Sequence, residues 1–86
     1  MITDYSKGRY LVYQGRGPLA PLAGIIDGDE FVRDMTNGRL LYRVDGEEFY
    51  DMAGQYIGEI TTSEGVGMVV RSDPTGINCL FVIRKE

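Results

Sequence analysis

The sequence predicts an all-β protein: an antiparallel meander of about eight short strands made from strand–turn–strand repeats. Three observations carry this. Twelve glycines punctuate 86 residues, so a helix of ordinary length, about 11–12 residues, has nowhere to sit. The segments between the glycines are rich in Val, Ile, Leu, Tyr and Phe, which suit a pleated, half-buried surface. The turn formers also return at a regular interval, as they do in repeat architectures.

In chain order, the expected strands cover residues 10–13, 22–26, 30–34, 40–44, 47–51, 56–61, 67–72 and 78–84. Side chains alternate faces along a strand. In Leu40-Leu41-Tyr42-Arg43-Val44, residues 40, 42 and 44 therefore share one face and Arg43 takes the other. The same counting in Tyr56-Ile57-Gly58-Glu59-Ile60 groups Tyr56, Gly58 and Ile60 against Ile57 and Glu59. Cys79-Leu80-Phe81-Val82-Ile83 is apolar throughout and reads as a strand buried on both faces or at an interface. Asp27-Gly28, Asn37-Gly38 and Asp45-Gly46 are hairpin signals, because a two-residue type I′ turn needs positive φ at both central residues. Ala53-Gly54 marks a further turn, and Asp73-Pro74-Thr75-Gly76 suits type I, with proline second and glycine fourth.

The repeat is clearest between Phe31 to Glu48 and Phe49 to Glu64. Each segment reads aromatic, Asp-Met, glycine turn, apolar strand, acidic turn. Asp34-Met35 matches Asp51-Met52, Gly38 matches Gly54, and Val44 matches Ile60. Residues 11–30 and 68–83 keep the strand–turn–strand outline, giving about four units. Two short strands cannot bury a face alone, so the units must pair with one another or with another chain.

Length and composition bound the rest. Residues 1–86 make a single domain. A chain this short buries only about 60–65% of its unfolded surface, so a staple or self-association is expected. Cys79 is the only cysteine, which excludes an intrachain disulfide and points to a reducing, cytoplasmic location. The lack of histidine removes the commonest metal ligand and the commonest general acid/base. Net charge is −4 with a pI near 4.7, which argues against a nucleic-acid partner. Arg33, Arg39 and Arg43 could gather on neighbouring strands, as solvated side chains or as a phosphate patch. No stretch reads as a membrane span, and the start of the chain lacks the build of a signal peptide.

Candidate chemistry is sparse. Asp27, Asp29 and Glu30, and then Asp45, Glu47 and Glu48, read as solubilising hairpin tips; the alternative is calcium or a carboxylate-dependent enzyme. Gly15-Arg16-Gly17-Pro18 lacks the Gly-Lys-Ser/Thr ending of a phosphate loop. Pro18-Leu19-Ala20-Pro21-Leu22 is either sheet-edge protection or a docking loop. Cys79 has no histidine to activate it and reads as structural. Met35 and Met52, at equivalent repeat positions, either pack the core or line a pliable apolar cavity.

Asp45-Gly46-Glu47-Glu48-Phe49-Tyr50-Asp51-Met52-Ala53-Gly54-Gln55-Tyr56-Ile57-Gly58-Glu59-Ile60, with a looser copy from Asp27 to Val44, resembles the repeat of the bacterial β-flower proteins. Members of that family often carry tryptophan near the Ile-Gly pair, and this chain has none. The resemblance implies a symmetric, four-fold homo-oligomer with a hydrophobic guest such as a fatty acid. The expectation is thus a non-enzymatic protein without cofactors, a homo-oligomer that binds a hydrophobic small molecule through Met35, Tyr42, Met52, Tyr56 and Ile60. The alternative is a protein–protein adaptor using a sheet edge or the Pro18–Leu22 loop.

Overall fold

A computed structural model describes residues 5, 7–15, 17–63, 65–74 and 76–86, with the backbone alone at 63, 72 and 73. Met1 to Asp4, Arg16, Glu64 and Thr75, which figure in the expectations above, lie outside the described residues. The strands are β1 (Arg9–Gln14), β2 (Leu22–Asp27), β3 (Phe31–Arg33), β4 (Leu40–Asp45), β5 (Glu48–Asp51), β6 (Tyr56–Ser63), β7 (Val66–Asp73) and β8 (Gly76–Lys85). Each runs antiparallel to the next, and among the described residues there is no helix. β1 also pairs with β8, from Tyr10 opposite Lys85 to Gln14 opposite Phe81, so the meander closes into a barrel within one chain. Closure removes the open sheet edges that would invite another strand.

The four hairpins β1–β2, β3–β4, β5–β6 and β7–β8 share one construction. Each has a register shift, after Val12, Val32, Phe49 and Val69 respectively. The extra residue on the second strand is Ala23, Leu41, Ile57 or Leu80. Such bulges bend and coil a strand, which lets a short sheet close. This is the sequence repeat in physical form.

The bulges also correct the face assignments. Val44 is buried and Tyr42 packs against the core, as alternation requires. Along β6, however, Ile57 packs against the core while Tyr56 is 46% exposed. The shift between Phe49 and Tyr50 sets Tyr56 opposite Tyr50 on the outer face, their rings edge to face at 5.8 Å. A second difference lies in the β4–β5 turn. Asp45 pairs with Glu48, so the tip is Gly46-Glu47 rather than Asp45-Gly46, with Gly46 at φ 63°.

Eight strands enclose just enough space for side chains to fill. Phe49, Ile26, Ile83, Val12, Val32 and Val69 are fully buried there, each worth about 1.5–3 kcal/mol. The exposed ion pairs contribute about 0–1 kcal/mol each, so the core holds the fold. On the second strands of the hairpins, Gly24, Tyr42, Gly58 and Phe81 alternate small and large around the barrel. The rings of Tyr42, Phe49 and Phe81 form one cluster, with centroids 5.1 Å (Tyr42–Phe49), 5.0 Å (Tyr42–Phe81) and 5.2 Å (Phe49–Phe81) apart. At the glycines the next strand comes in close. A Cβ would lie 2.5 Å from the Arg33 carbonyl oxygen at Gly24 and 2.6 Å from that of Val70 at Gly58. In β8 the expectation of a strand buried on both faces holds over Phe81, Val82 and Ile83. Tyr5 is buried against Tyr10, edge to face at 5.0 Å.

Candidate functional site

Alternate turns of an up-and-down barrel fall at opposite ends. The turns within the four bulged hairpins lie at one end, called here the rim. The β2–β3, β4–β5 and β6–β7 turns, the start of β1 and the end of β8 lie at the other.

The acidic turns occupy the second end. Asp27, Asp29, Glu30, Asp45, Glu47 and Glu48 all sit in or beside its hairpin tips. Their chemistry is local. Asp29 accepts hydrogen bonds from the Phe31 N–H at 3.0 Å and from Arg33 at 2.7 Å. Burial pushes the Asp29 carboxyl up, but the bonds from Arg33 and Phe31, with the charge of Arg33, outweigh this and hold it below the usual carboxylate range. Arg9 lies 3.4 Å from Glu86 and 4.0 Å from Asp27. Arg43 pairs with Asp45 at 3.6 Å and sits 5.0 Å from the Tyr50 ring centroid. Tyr50 donates its hydroxyl to Glu48 at 2.9 Å, which raises its pKa. Arg33 and Arg43 are thus each held by an acid, and Arg39 sits beside Leu40, the ladder partner of Arg33, its carbonyl accepting from the Asp34 N–H at 2.8 Å. Among the described residues, no group of three or more His, Cys, Asp or Glu side chains is placed to hold a metal ion.

The rim is different in kind. Among the described residues the exposed large apolar side chains are Leu19, Leu22, Met35, Met52, Tyr56 and Ile77, and every one lies there. Leu19 is 94% and Ile77 74% exposed. Each hairpin contributes: Leu19 and Leu22 the first, Met35 the second, Met52 and Tyr56 the third, Ile77 the fourth.

The two methionines reach the rim for the same local reason. Asp34 Oδ1 accepts from the Thr36 N–H at 2.8 Å, and its carbonyl accepts from the Gly38 N–H at 2.8 Å. Asp51 Oδ1 accepts from the N–H groups of Ala53 and Gln55, each at 2.9 Å, and its carbonyl accepts from Gly54 at 3.1 Å. An aspartate that ties the turn to itself leaves the following methionine standing at the tip.

The five residues expected to line one site divide between two places. Met35, Met52 and Tyr56 are exposed at the rim. Tyr42 packs on Phe49 and Phe81 inside the barrel, and Ile60 is 4% exposed in the core. Leu19 and Leu22, expected in an edge-protecting or docking loop, join the rim, and so does Ile77, which the sequence reading did not pick out. Their signal in the sequence is an apolar residue set beside a turn former: Pro18 and Pro21 for the leucines, Gly76 for Ile77.

The remaining candidates resolve simply. Pairing of β1 with β8 closes the barrel, so among the described residues neither terminal strand is a free sheet edge. The Pro18–Leu22 loop is pinned at its base, where the Gln14 N–H donates to the Pro21 carbonyl and the Gly15 N–H to the Leu80 carbonyl, each at 2.8 Å. Gly15-Arg16-Gly17-Pro18 leads into a strand, not the helix a phosphate loop requires. Cys79 is half-buried, its Sγ 3.5 Å from the Phe81 carbonyl. Among the described residues no helix is long and apolar enough to cross a membrane. No family model matches the chain, and no curated protein or solved structure matches it either.

Proposed function

We propose that this chain is a non-enzymatic, cytoplasmic binding module that associates with copies of itself through the rim and takes a hydrophobic small molecule, such as a fatty acid, at the same end. One observation carries this: the exposed large apolar side chains gather at one end of the barrel and come from all four hairpins. Exposed apolar side chains concentrated at one end of a small protein point to a contact site. Met35 and Met52 add unbranched, adaptable thioethers suited to a loosely specified apolar guest. The resemblance to β-flower proteins adds four-fold assembly and a lipid-like ligand to this reading. The lack of histidine and the locally paired carboxylates support a role without catalysis.

Sedimentation velocity over a range of concentrations tests the association. The wild type should form a larger species, and the double variant Leu19→Ser/Ile77→Ser should sediment as a monomer. Identical behaviour of the two would sink the rim as a contact surface. Alanine at Met52 and Tyr56 should weaken binding of a fluorescent fatty acid, and unchanged binding would remove the guest from the proposal. The exposure of Leu19 favours a second reading, an adaptor that docks a partner on the Pro18–Leu22 loop. Pull-downs with Leu19→Ser test it, since an unchanged set of partners would exclude the loop.

A further inference from the structure

A pocket of about 250 Å³ opens on the outer wall of the barrel, beneath the β1–β2 loop, and none of the exposed rim side chains lines it. Its wall is formed by Tyr13 of β1 with Val82 and Arg84 of β8, and its roof by Pro18 and Ala20 of the loop. Tyr13 stands opposite Val82 across the β1–β8 pairing, and Arg84 follows two residues later on the same outward face. The loop turns Pro18 and Ala20 to the wall while Leu19, between them, faces solvent. Val82, 6% exposed, adds a small apolar area at the floor.

The polar side chains of the wall are Tyr13 and Arg84. Arg84 makes no ion pair with a described residue, whereas Arg9, Arg33 and Arg43 each have an acid. The Tyr13 hydroxyl is likewise without a partner among the described residues. Of the lining backbone donors, the Gly15 N–H goes to the Leu80 carbonyl and the Ala20 N–H to that of Gly17. Among the described residues the pocket therefore offers one planar, permanently charged guanidinium and one hydroxyl beside Val82. A guanidinium matches a carboxylate with two parallel hydrogen bonds.

We infer that this pocket is a site for a small monocarboxylate with a short apolar body, the carboxylate on Arg84 and the body over Val82 between Pro18 and Ala20. A pocket of about 250 Å³ suits a ligand on the scale of hexanoate. The site stands independently of any role of the rim.

The test is an amide chemical-shift titration of the isotope-labelled protein with sodium hexanoate at low salt. The account predicts saturable shifts at Gly17, Val82 and Arg84, and binding about tenfold weaker for hexanol, which has the same body without the charge. Arg84→Gln should weaken hexanoate about tenfold, the loss expected for one exposed charge-assisted pair. Ala20→Phe should fill the space under the loop and abolish the shifts. Both positions lie outside the core, so both variants should melt with the wild type; should one fail to fold, the other carries the test. Shifts that do not saturate, hexanol as tight as hexanoate, or full binding by a folded Arg84→Gln would each overturn the assignment.

Discussion

Replacing Gly58 by alanine tests how the barrel closes. A Cβ at this position would lie 2.6 Å from the Val70 carbonyl oxygen and 3.2 Å from Val69 Cγ1. The first contact is with backbone, which cannot swing aside as a side-chain end can. β7 must then move away from β6, or the strands must untwist around Gly58. Overpacking of this kind costs about 1–3 kcal/mol. Chain entropy works the other way, because alanine in place of a strand glycine gains about 0.5–1 kcal/mol. Because the clash is with backbone, the cost falls in the upper part of that range, about 2–3 kcal/mol, and the net expectation is a loss of about 1–2.5 kcal/mol, or roughly 4–20 °C in Tm for a domain of this size. Thermal and urea melts followed by far-UV circular dichroism read this directly. Gly24→Ala should shift the same way, since its Cβ would meet the Arg33 carbonyl at 2.5 Å. If Gly58→Ala melts at or above the wild type, the close approach of β6 and β7 is wrong, and with it the alternation of small and large residues inside the barrel.

Further outcomes follow from the core and the turns. Phe49 is fully buried in the three-ring cluster, so Phe49→Ala should lose about 3–5 kcal/mol in urea unfolding, a large part of the whole for a small domain; a loss below about 1 kcal/mol would place Phe49 outside the core. The Asp29 carboxyl is held low in the folded protein. Its stabilising contribution is thus present above the unfolded value of about 3.9 and is lost as pH falls through the lower folded value. Asp29→Asn should flatten the fall of Tm as pH drops below about 4, and an unchanged slope would show that the Arg33 pair is not formed in solution. Asp51→Ala removes the acceptor of two turn N–H groups and should cost about 1 kcal/mol; equal stability would mean that Met52 owes its place at the tip to something else.

All eight strands were legible because residue types and glycine spacing are local signals. The repeat was legible too, and it maps onto the four bulged hairpins. The bulges themselves were not. A bulge is set by how two strands coil past each other, and nothing in Gln55-Tyr56-Ile57-Gly58 announces which residue is the extra one. Counting by two therefore placed Tyr56 with Ile60, whereas Ile57 is the residue that turns to the core. Met35 and Met52 were correctly matched as equivalent, yet equivalence does not say inward or outward. The Asp34 and Asp51 turns decide that, and they hold the methionines outside. Closure within one chain depends on the pairing of β1 with β8, whose residues are about 70 positions apart in sequence. Such a contact has no short-range signal. Leu19, Leu22 and Ile77 became a group with the methionines only once the topology brought alternate turns to one end.

Native mass spectrometry of the freshly purified protein tests the central claim, that the rim is a place of assembly and apolar binding. The account predicts an assembly of the 9.6 kDa chain carrying a lipid-sized extra mass, with assembly lost in Leu19→Ser/Ile77→Ser. A bare monomer at every concentration would contradict it.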